Sequence, residues 1–231
     1  MLDVAVLAGP LMLSFDKRVA FYRKWPSVFA AIIVVVVVFG AWDVWKTAVG
    51  VWSFNDVYAG TWRFLGLPRG EWLFFVFIPY ACLFILACVR AYIKDAELRI
   101  PGIIWYILAA LFVVAAVLFR DRTYTGVVFF SVAVMLLAGV MFIPENFRSR
   151  NFWIAMILTY IPFLVANGIL TGKPVVLYND AENLGIRVGT IPLEDFFFSL
   201  SMLLLGFFMY DLFARLLSRA KAGPSGSMAQ E

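Results

Sequence analysis

VFAAIIVVVVVFGAW, residues 28–42, runs without a single charge, and so does WLFFVFIPYACLFILACV, residues 72–89. Stretches of this kind have nowhere to go in water. The rest of the chain agrees: 64% of its 231 residues are hydrophobic, 15% are charged and the mean hydropathy is +0.91. A soluble domain carries roughly 25% charged residues to wet its surface. The chain therefore reads as a polytopic, all-α integral membrane protein. Seven apolar spans can be marked, at about 2–15, 27–46, 71–91, 102–119, 125–143, 152–170 and 192–214. The first is short for a hydrocarbon layer of about 30 Å, which leaves six as the alternative. It has no basic start and no small-residue cleavage site, with Asp3 near its beginning, so it reads as a span and not as a cleaved leader.

The net charge of +4 does not point to nucleic acid, because the positive residues lie in short connections, as membrane topology places them. With the N-terminus outside, the inner connections hold Lys17, Arg18, Arg23, Lys24, Arg90, Lys94, Arg99, Arg148, Arg150, Arg215, Arg219 and Lys221. The outer ones hold Lys46, Arg63, Arg69, Arg120, Arg122, Lys173 and Arg187. Twelve against seven predicts an N-out, C-in protein of a bacterial inner membrane. Cys82 and Cys88 share one apolar run and read as packing residues. Histidine is absent, which removes the commonest metal ligand and general base. No metal site is expected. The small and polar residues 220–231 read as a disordered tail.

An internal repeat organises the spans. A shift of 124 residues carries Asp43 onto Asn167, Phe54 onto Tyr178, and Asn55-Asp56 onto Asn179-Asp180. The same shift carries Arg63 onto Arg187, Leu67-Pro68 onto Ile191-Pro192, Glu71 onto Asp195, Trp72 onto Phe196 and Phe74 onto Phe198. Each half is a span ending in Asp or Asn, a loop with Asn-Asp and Arg, then Pro-x-x-acid-aromatic opening another span. With span 4 as an odd linker, both halves point the same way. The expectation is a seven-helix bundle forming one transmembrane domain over 1–219. It comprises a first repeat at about 1–92, a linker span at about 101–120 and a second, parallel repeat at about 125–215.

The Pro-x-x-acid corners are where chemistry is expected. Proline suits the first turn of a helix and an acid there faces its positive end, so capping is one reading. Glu194-Asp195 is a vicinal pair at an apolar boundary, where both acids cannot easily ionise. A protonated carboxylic acid near neutral pH is what a general acid needs. Glu71 is similar, with Gly70 where a second acid would stand. Asp43 and Asn167 end their spans at equivalent places and either anchor the interface or line a cavity. Asp211 is expected to pair with Arg215 one turn on. The connection 179–183 reads as a polar lid fixed by its own side chains, with a cation site as the alternative. The aromatics beyond the acids, Trp72, Phe74, Phe196 and Phe197, offer π faces to a hydrocarbon cation.

Several of these stretches resemble the small membrane lycopene cyclase family. In the first half they are Phe15-Asp16-Lys17-Arg18, Trp42-Asp43, Phe54-Asn55, Leu67-Pro68-x-x-Glu71-Trp72-Leu73-Phe74-Phe75 and Ile78-Pro79-Tyr80; in the second, the run from Tyr178 to Phe197. The resemblance covers about residues 15–213. It implies cyclisation of the linear ends of lycopene into β-rings, giving β-carotene through a monocyclic intermediate. By the same resemblance Glu194, Asp195 and Glu71 are the catalytic acids, with Glu194 as proton donor and Asp195 as its partner or the base. Trp72, Phe74, Phe196, Phe197, Asp43 and Asn167 would bind substrate. Gly70 stands where the family's first-half motif has Glu, which implies unequal halves. The implied reaction is an isomerisation, so no cofactor is required, and the chain has no Gly-x-Gly-x-x-Gly stretch for a flavin. The partners implied are lycopene and membrane lipid, not nucleic acid. Other classes remain in view: a non-catalytic carotenoid or lipid binder, or a small secondary transporter built from repeats. A retinal protein would need a lysine in the last span, and residues 192–214 have none.

Overall fold

The structure, a computed structural model, describes residues 2–222. In chain order it contains α1 (Leu2–Leu13), a 3-10 turn (Phe21–Lys24), α2 (Trp25–Ala48), β1 (Trp52–Phe54), α3 (Asp56–Ala59), β2 (Arg63–Phe64), β3 (Leu67–Pro68) and α4 (Arg69–Tyr92). The second half continues with α5 (Ile103–Leu118), α6 (Thr123–Phe142), α7 (Pro144–Arg148), α8 (Arg150–Gly172), β4 (Val176–Tyr178), β5 (Arg187–Val188), β6 (Ile191–Pro192) and α9 (Leu193–Ala222).

All seven expected spans are helices. Five stretches have the length and apolarity to cross a bilayer: Phe21–Ala48, Arg69–Tyr92, Thr123–Phe142, Arg150–Gly172 and Leu193–Ala220. α5 has 16 residues and α1 has 12, rising about 24 and 18 Å at 1.5 Å per residue. By length and composition, five of the seven are sufficient to cross. The chain is a multi-pass membrane protein.

Local chemistry sets the helix starts. Pro26 sits in the first turn of α2, where a missing N–H leaves nothing unsatisfied. Ser149 caps α8 by accepting from the Phe152 N–H at 3.1 Å. α4 and α9 each leave a two-residue β-hairpin, β2–β3 and β5–β6, through Pro68 and Pro192. The turns need left-handed backbone: Leu65 and Gly66 supply φ of 51° and 85° in the first, and Gly189 supplies 65° in the second. These strands are one departure from the all-α expectation.

The loop bonds also recur at the 124-residue spacing. Asn55 accepts from Val57 N–H at 3.0 Å and Asn179 accepts from Ala181 N–H at 3.1 Å. Arg63 pairs with Asp56 at 2.5 Å and Arg187 with Asp180 at 2.6 Å. β1 and β4 pair antiparallel in the register Trp52↔Tyr178, Ser53↔Leu177, Phe54↔Val176. Ser53 and Leu177 are themselves 124 residues apart, so this ribbon is centred between equivalent positions.

α2, α4, α6 and α9 form the interior, with α1 against α4, α5 against α6 and α8 against α4. Among the five long helices α9 and α4 are the most buried and α8 the least; Ile157, Ile161 and Val165 of α8 face outward. Gly139 lets the Phe147 and Phe208 rings close over α6, since a Cβ there would overlap the Phe147 ring.

Three expectations change. Asp211 does not pair with Arg215. It accepts a two-pronged bond from Arg90 of α4 at 2.6 and 2.8 Å and a third from Asn146 at 2.8 Å, while Arg215 pairs with Glu145 of α7. A guanidinium fork matches a carboxylate better than a neighbour one turn away can. Lys46 does not lie in an outer connection: it is on the last turn of α2 and fully buried. Residues 220–222, expected in a tail, belong to α9, which runs to Ala222; the rest of that expectation, residues 223–231, lies outside the described residues.

Candidate active site

The two acidic corners converge. Counted at helical spacing from each acid, Glu71, Phe74 and Ile78 share one face of α4, and Asp195, Phe198, Ser199 and Met202 share one face of α9. Both faces wall one cavity of about 60 Å³. Asp43 of α2, Phe163 and Asn167 of α8, Trp52 of β1, Tyr124 of α6 and Tyr178 of β4 help to close it. A wider cleft of about 330 Å³ adjoins it, lined by Gly70, Leu73 and Ile169 among others. Phe54, Glu71, Phe74 and Leu170 border both spaces, so Glu71 stands at the neck between them.

Asp195 is buried and held by three donors. Tyr124 Oη donates to Oδ1 at 2.5 Å, while Tyr178 Oη and Asn167 Nδ2 donate to Oδ2 at 2.7 and 2.8 Å. A carboxyl facing only donors is set up as a carboxylate. The Tyr178 phenol is pushed well above its usual range, by burial first and by the charge of Asp195 beside it, and so stays a donor.

Asp43 is buried too, and its side chain is hydrogen-bonded to Glu71. Two carboxyl groups can bond only with a proton between them, because both are otherwise acceptors. The second Asp43 oxygen, Oδ1, has no hydrogen-bond partner among the described residues. The cavity thus holds a proton-bearing acid pair on one wall and a donor-saturated carboxylate on another.

Glu194 turns the other way and does not line the cavity. Its Oε1 accepts from Thr125 Oγ1 at 2.6 Å and from the Leu184 N–H at 2.8 Å, tying α6 and the loop before β5 to the start of α9. That loop is fixed by its own side chains. Asn183, almost fully buried, donates to Asn179 O at 3.1 Å and accepts from the Gly185 N–H at 2.7 Å. Glu182 accepts from Thr123 N–H at 3.1 Å. Among the described residues, no three His, Cys, Asp or Glu side chains are grouped as a metal site would need.

Sequence comparison now bears on this geometry. A profile described as lycopene cyclase matches residues 1–89 and 121–213, two segments that leave out α5. The chain belongs to the lycopene cyclase family. No curated protein and no solved structure matches it.

Of the site residues expected in this lycopene cyclase family chain, Glu71, Asp195, Asp43, Asn167 and Phe74 meet at the cavity. Trp72, Phe196 and Phe197 do not line it. Trp72 covers Gly40 and donates to Phe64 O at 3.1 Å. The Phe196 ring lies against Tyr160 and Phe163, and that of Phe197 against Phe112 and Phe129. The cavity-facing aromatic of α9 is Phe198, three residues after Asp195, and the i, i+3 rule applied from the acid would have found it. Tyr124 and Lys46 had no motif to announce them. The Lys46 Nζ lies 4.0 Å from the Tyr124 ring centre, 4.1 Å from Trp42, 5.0 Å from Trp52 and 5.4 Å from Phe198. Its position three residues after Asp43, between Trp45 and Thr47, was the available sequence signal.

Proposed function

We propose that this carotenoid cyclase is a lycopene β-cyclase, converting the ψ-ends of lycopene to β-rings and giving β-carotene through γ-carotene. The observation that carries the reading is the Asp43–Glu71 hydrogen bond on the wall of an aromatic cavity that Asp195 also faces.

The proton held by the acid pair adds to the terminal double bond of a ψ-end and leaves a tertiary cation. The next double bond attacks that cation, closing the six-membered ring and moving the charge to a ring carbon. Asp195 takes a neighbouring ring proton and the ring double bond forms. One proton enters and one leaves, so substrate and product are isomers and no electrons are exchanged. The Phe74, Phe163 and Phe198 rings around the cavity suit a passing cation, and the adjoining cleft suits the unreacted arm of the polyene. Return of the proton from Asp195 to the Asp43–Glu71 pair resets the site. In this assignment Glu194 sets the position of Asp195 from behind.

The architecture proposed with it is a seven-helix bundle of two parallel three-helix repeats joined by α5, supported by the loop bonds that recur at the 124-residue spacing. An N-out, C-in orientation in a bacterial inner membrane goes with it. Moving buried Lys46 out of the outer set leaves twelve inner against six outer positive residues.

Expression in lycopene-accumulating bacteria, with chromatography of the extracted pigments, tests the function. β-Carotene is the expected product, and unchanged lycopene would refute it.

A further inference from the structure

Lys46 is a charged side chain of the interior that this mechanism leaves without work and that, unlike Arg90 and Asp211, has no ion-pair partner among the described residues. It is fully buried in a membrane-spanning helix, where a charge is costly and is retained for function more often than for packing. Its Nζ has no hydrogen-bond partner among the described residues. Four aromatic rings enclose it instead, and three of them, Trp52, Tyr124 and Phe198, also wall the cavity. Lys46 itself does not line that cavity, so it reaches the substrate only through these rings. Burial works against its charge, and the acids that support that charge are Asp43 on its own helix and Asp195 and Glu194 on α9.

The nearest ring is that of Tyr124, whose hydroxyl donates to Asp195. An ammonium over the face of a phenol draws electron density from it and strengthens its O–H as a donor. A methionine of similar length would fill the same space at no desolvation cost, so packing alone does not account for a lysine.

We propose that Lys46 is a positioning residue: a fixed cation that, across the Tyr124 ring, holds Asp195 as the carboxylate that takes the ring proton. This rests on the cyclase reading above.

The test uses membranes containing wild type, Lys46→Met, Lys46→Arg, Tyr124→Phe and the Lys46→Met/Tyr124→Phe double variant, at matched protein level and supplied with lycopene. Lys46→Met should lower turnover by about tenfold or more at unchanged KM, the scale of one lost electrostatic contact, and Lys46→Arg should recover part of it. The double variant should lose little beyond Tyr124→Phe alone, because both changes break one path. Losses that simply multiply would overturn the proposal. Infrared difference spectroscopy adds a readout that needs no turnover. The band that disappears in Asp195→Asn marks that carboxylate, and in Lys46→Met it should move to the protonated carboxyl region. An unmoved band would overturn the proposal whatever the pigments show, and Lys46→Gln serves if the methionine variant does not accumulate. A wild type that cyclises nothing would instead count against the cyclase reading, and the infrared band would still decide for or against Lys46.

Discussion

Asn167 of α8 donates to Asp195 of α9 at 2.8 Å, and 124 residues earlier Asp43 of α2 bonds Glu71 of α4. The positions correspond, but the chemistry does not. An amide gives a carboxylate a hydrogen bond without any shared proton, whereas two carboxyls require one. In the proposed reaction the same scaffold therefore presents a proton acceptor from one half and a proton source from the other.

If that division is right, Glu71→Gln and Asp43→Asn each remove the proton source and should lower cyclisation by on the order of 10² to 10⁴-fold. Asn167→Ala removes one of three donors and should cost far less. Pigment ratios in lycopene-accumulating cells measure all three. Near-normal product from Glu71→Gln would take that residue out of the acid role.

Glu194 separates structure from catalysis. Glu194→Gln keeps an acceptor for Thr125 and Leu184, so it should fold normally and lose less activity than Glu71→Gln. Glu194→Ala strands both donors, each unsatisfied buried group costing about 1–3 kcal/mol, and should lower the thermal midpoint in detergent. Complete loss of product in Glu194→Gln at an unchanged midpoint would move the acid role to Glu194.

At the other end of the bundle Arg90 joins α4 to Asp211 in α9 and, through it, to Asn146 in α7. Breaking this largely buried pair by Arg90→Ala should destabilise the fold by about 2–4 kcal/mol. Arg215→Ala, which loses a half-exposed partner in Glu145, should stay within about 1 kcal/mol. Comparable losses from the two variants in a detergent denaturation series would contradict the assignment.

Asp95, in the connection between α4 and α5, gives a pH signature. Burial pushes its carboxyl up, but bonds from the Ser149 hydroxyl and the Asn151 and Ala96 N–H groups, with Arg150 nearby, outweigh this and hold it below its usual 3.8. A folded value below the unfolded one adds stability above the unfolded pKa and loses it as pH falls through the folded one. Asp95→Asn should thus be less stable than wild type at pH 7, and the gap should close below about pH 4. A gap that persists at low pH would argue against the ionised carboxylate as its source.

Much of this was legible in the residue order because gapless repetition survives translation into structure. Glu71 and Asp195 come together as Pro68 and Pro192 start equivalent helices after equivalent hairpins. What linear reading missed is angular or distant. Phe196 and Phe197 follow the acid in sequence, yet 100° per residue turns them away and brings Phe198 round. Glu194 adjoins Asp195 but points at Thr125 for the same reason. Asp211 found its cation 121 residues back, on a helix that no local spacing could indicate. Lys46 looked like a loop charge because its burial depends on Tyr124, Trp52 and Phe198, which only the packing of α2, α6 and α9 brings around it.

The mismatch between the two equivalent pairs has a consequence for bookkeeping along the polyene. Lycopene is symmetric end to end, while the chamber that would close its rings has a single proton-bearing side. One encounter can serve only one terminus. The half-finished molecule must back out and return reversed, or be taken up by a second copy of the protein. Scarce enzyme and abundant lycopene should therefore leave γ-carotene ahead of β-carotene.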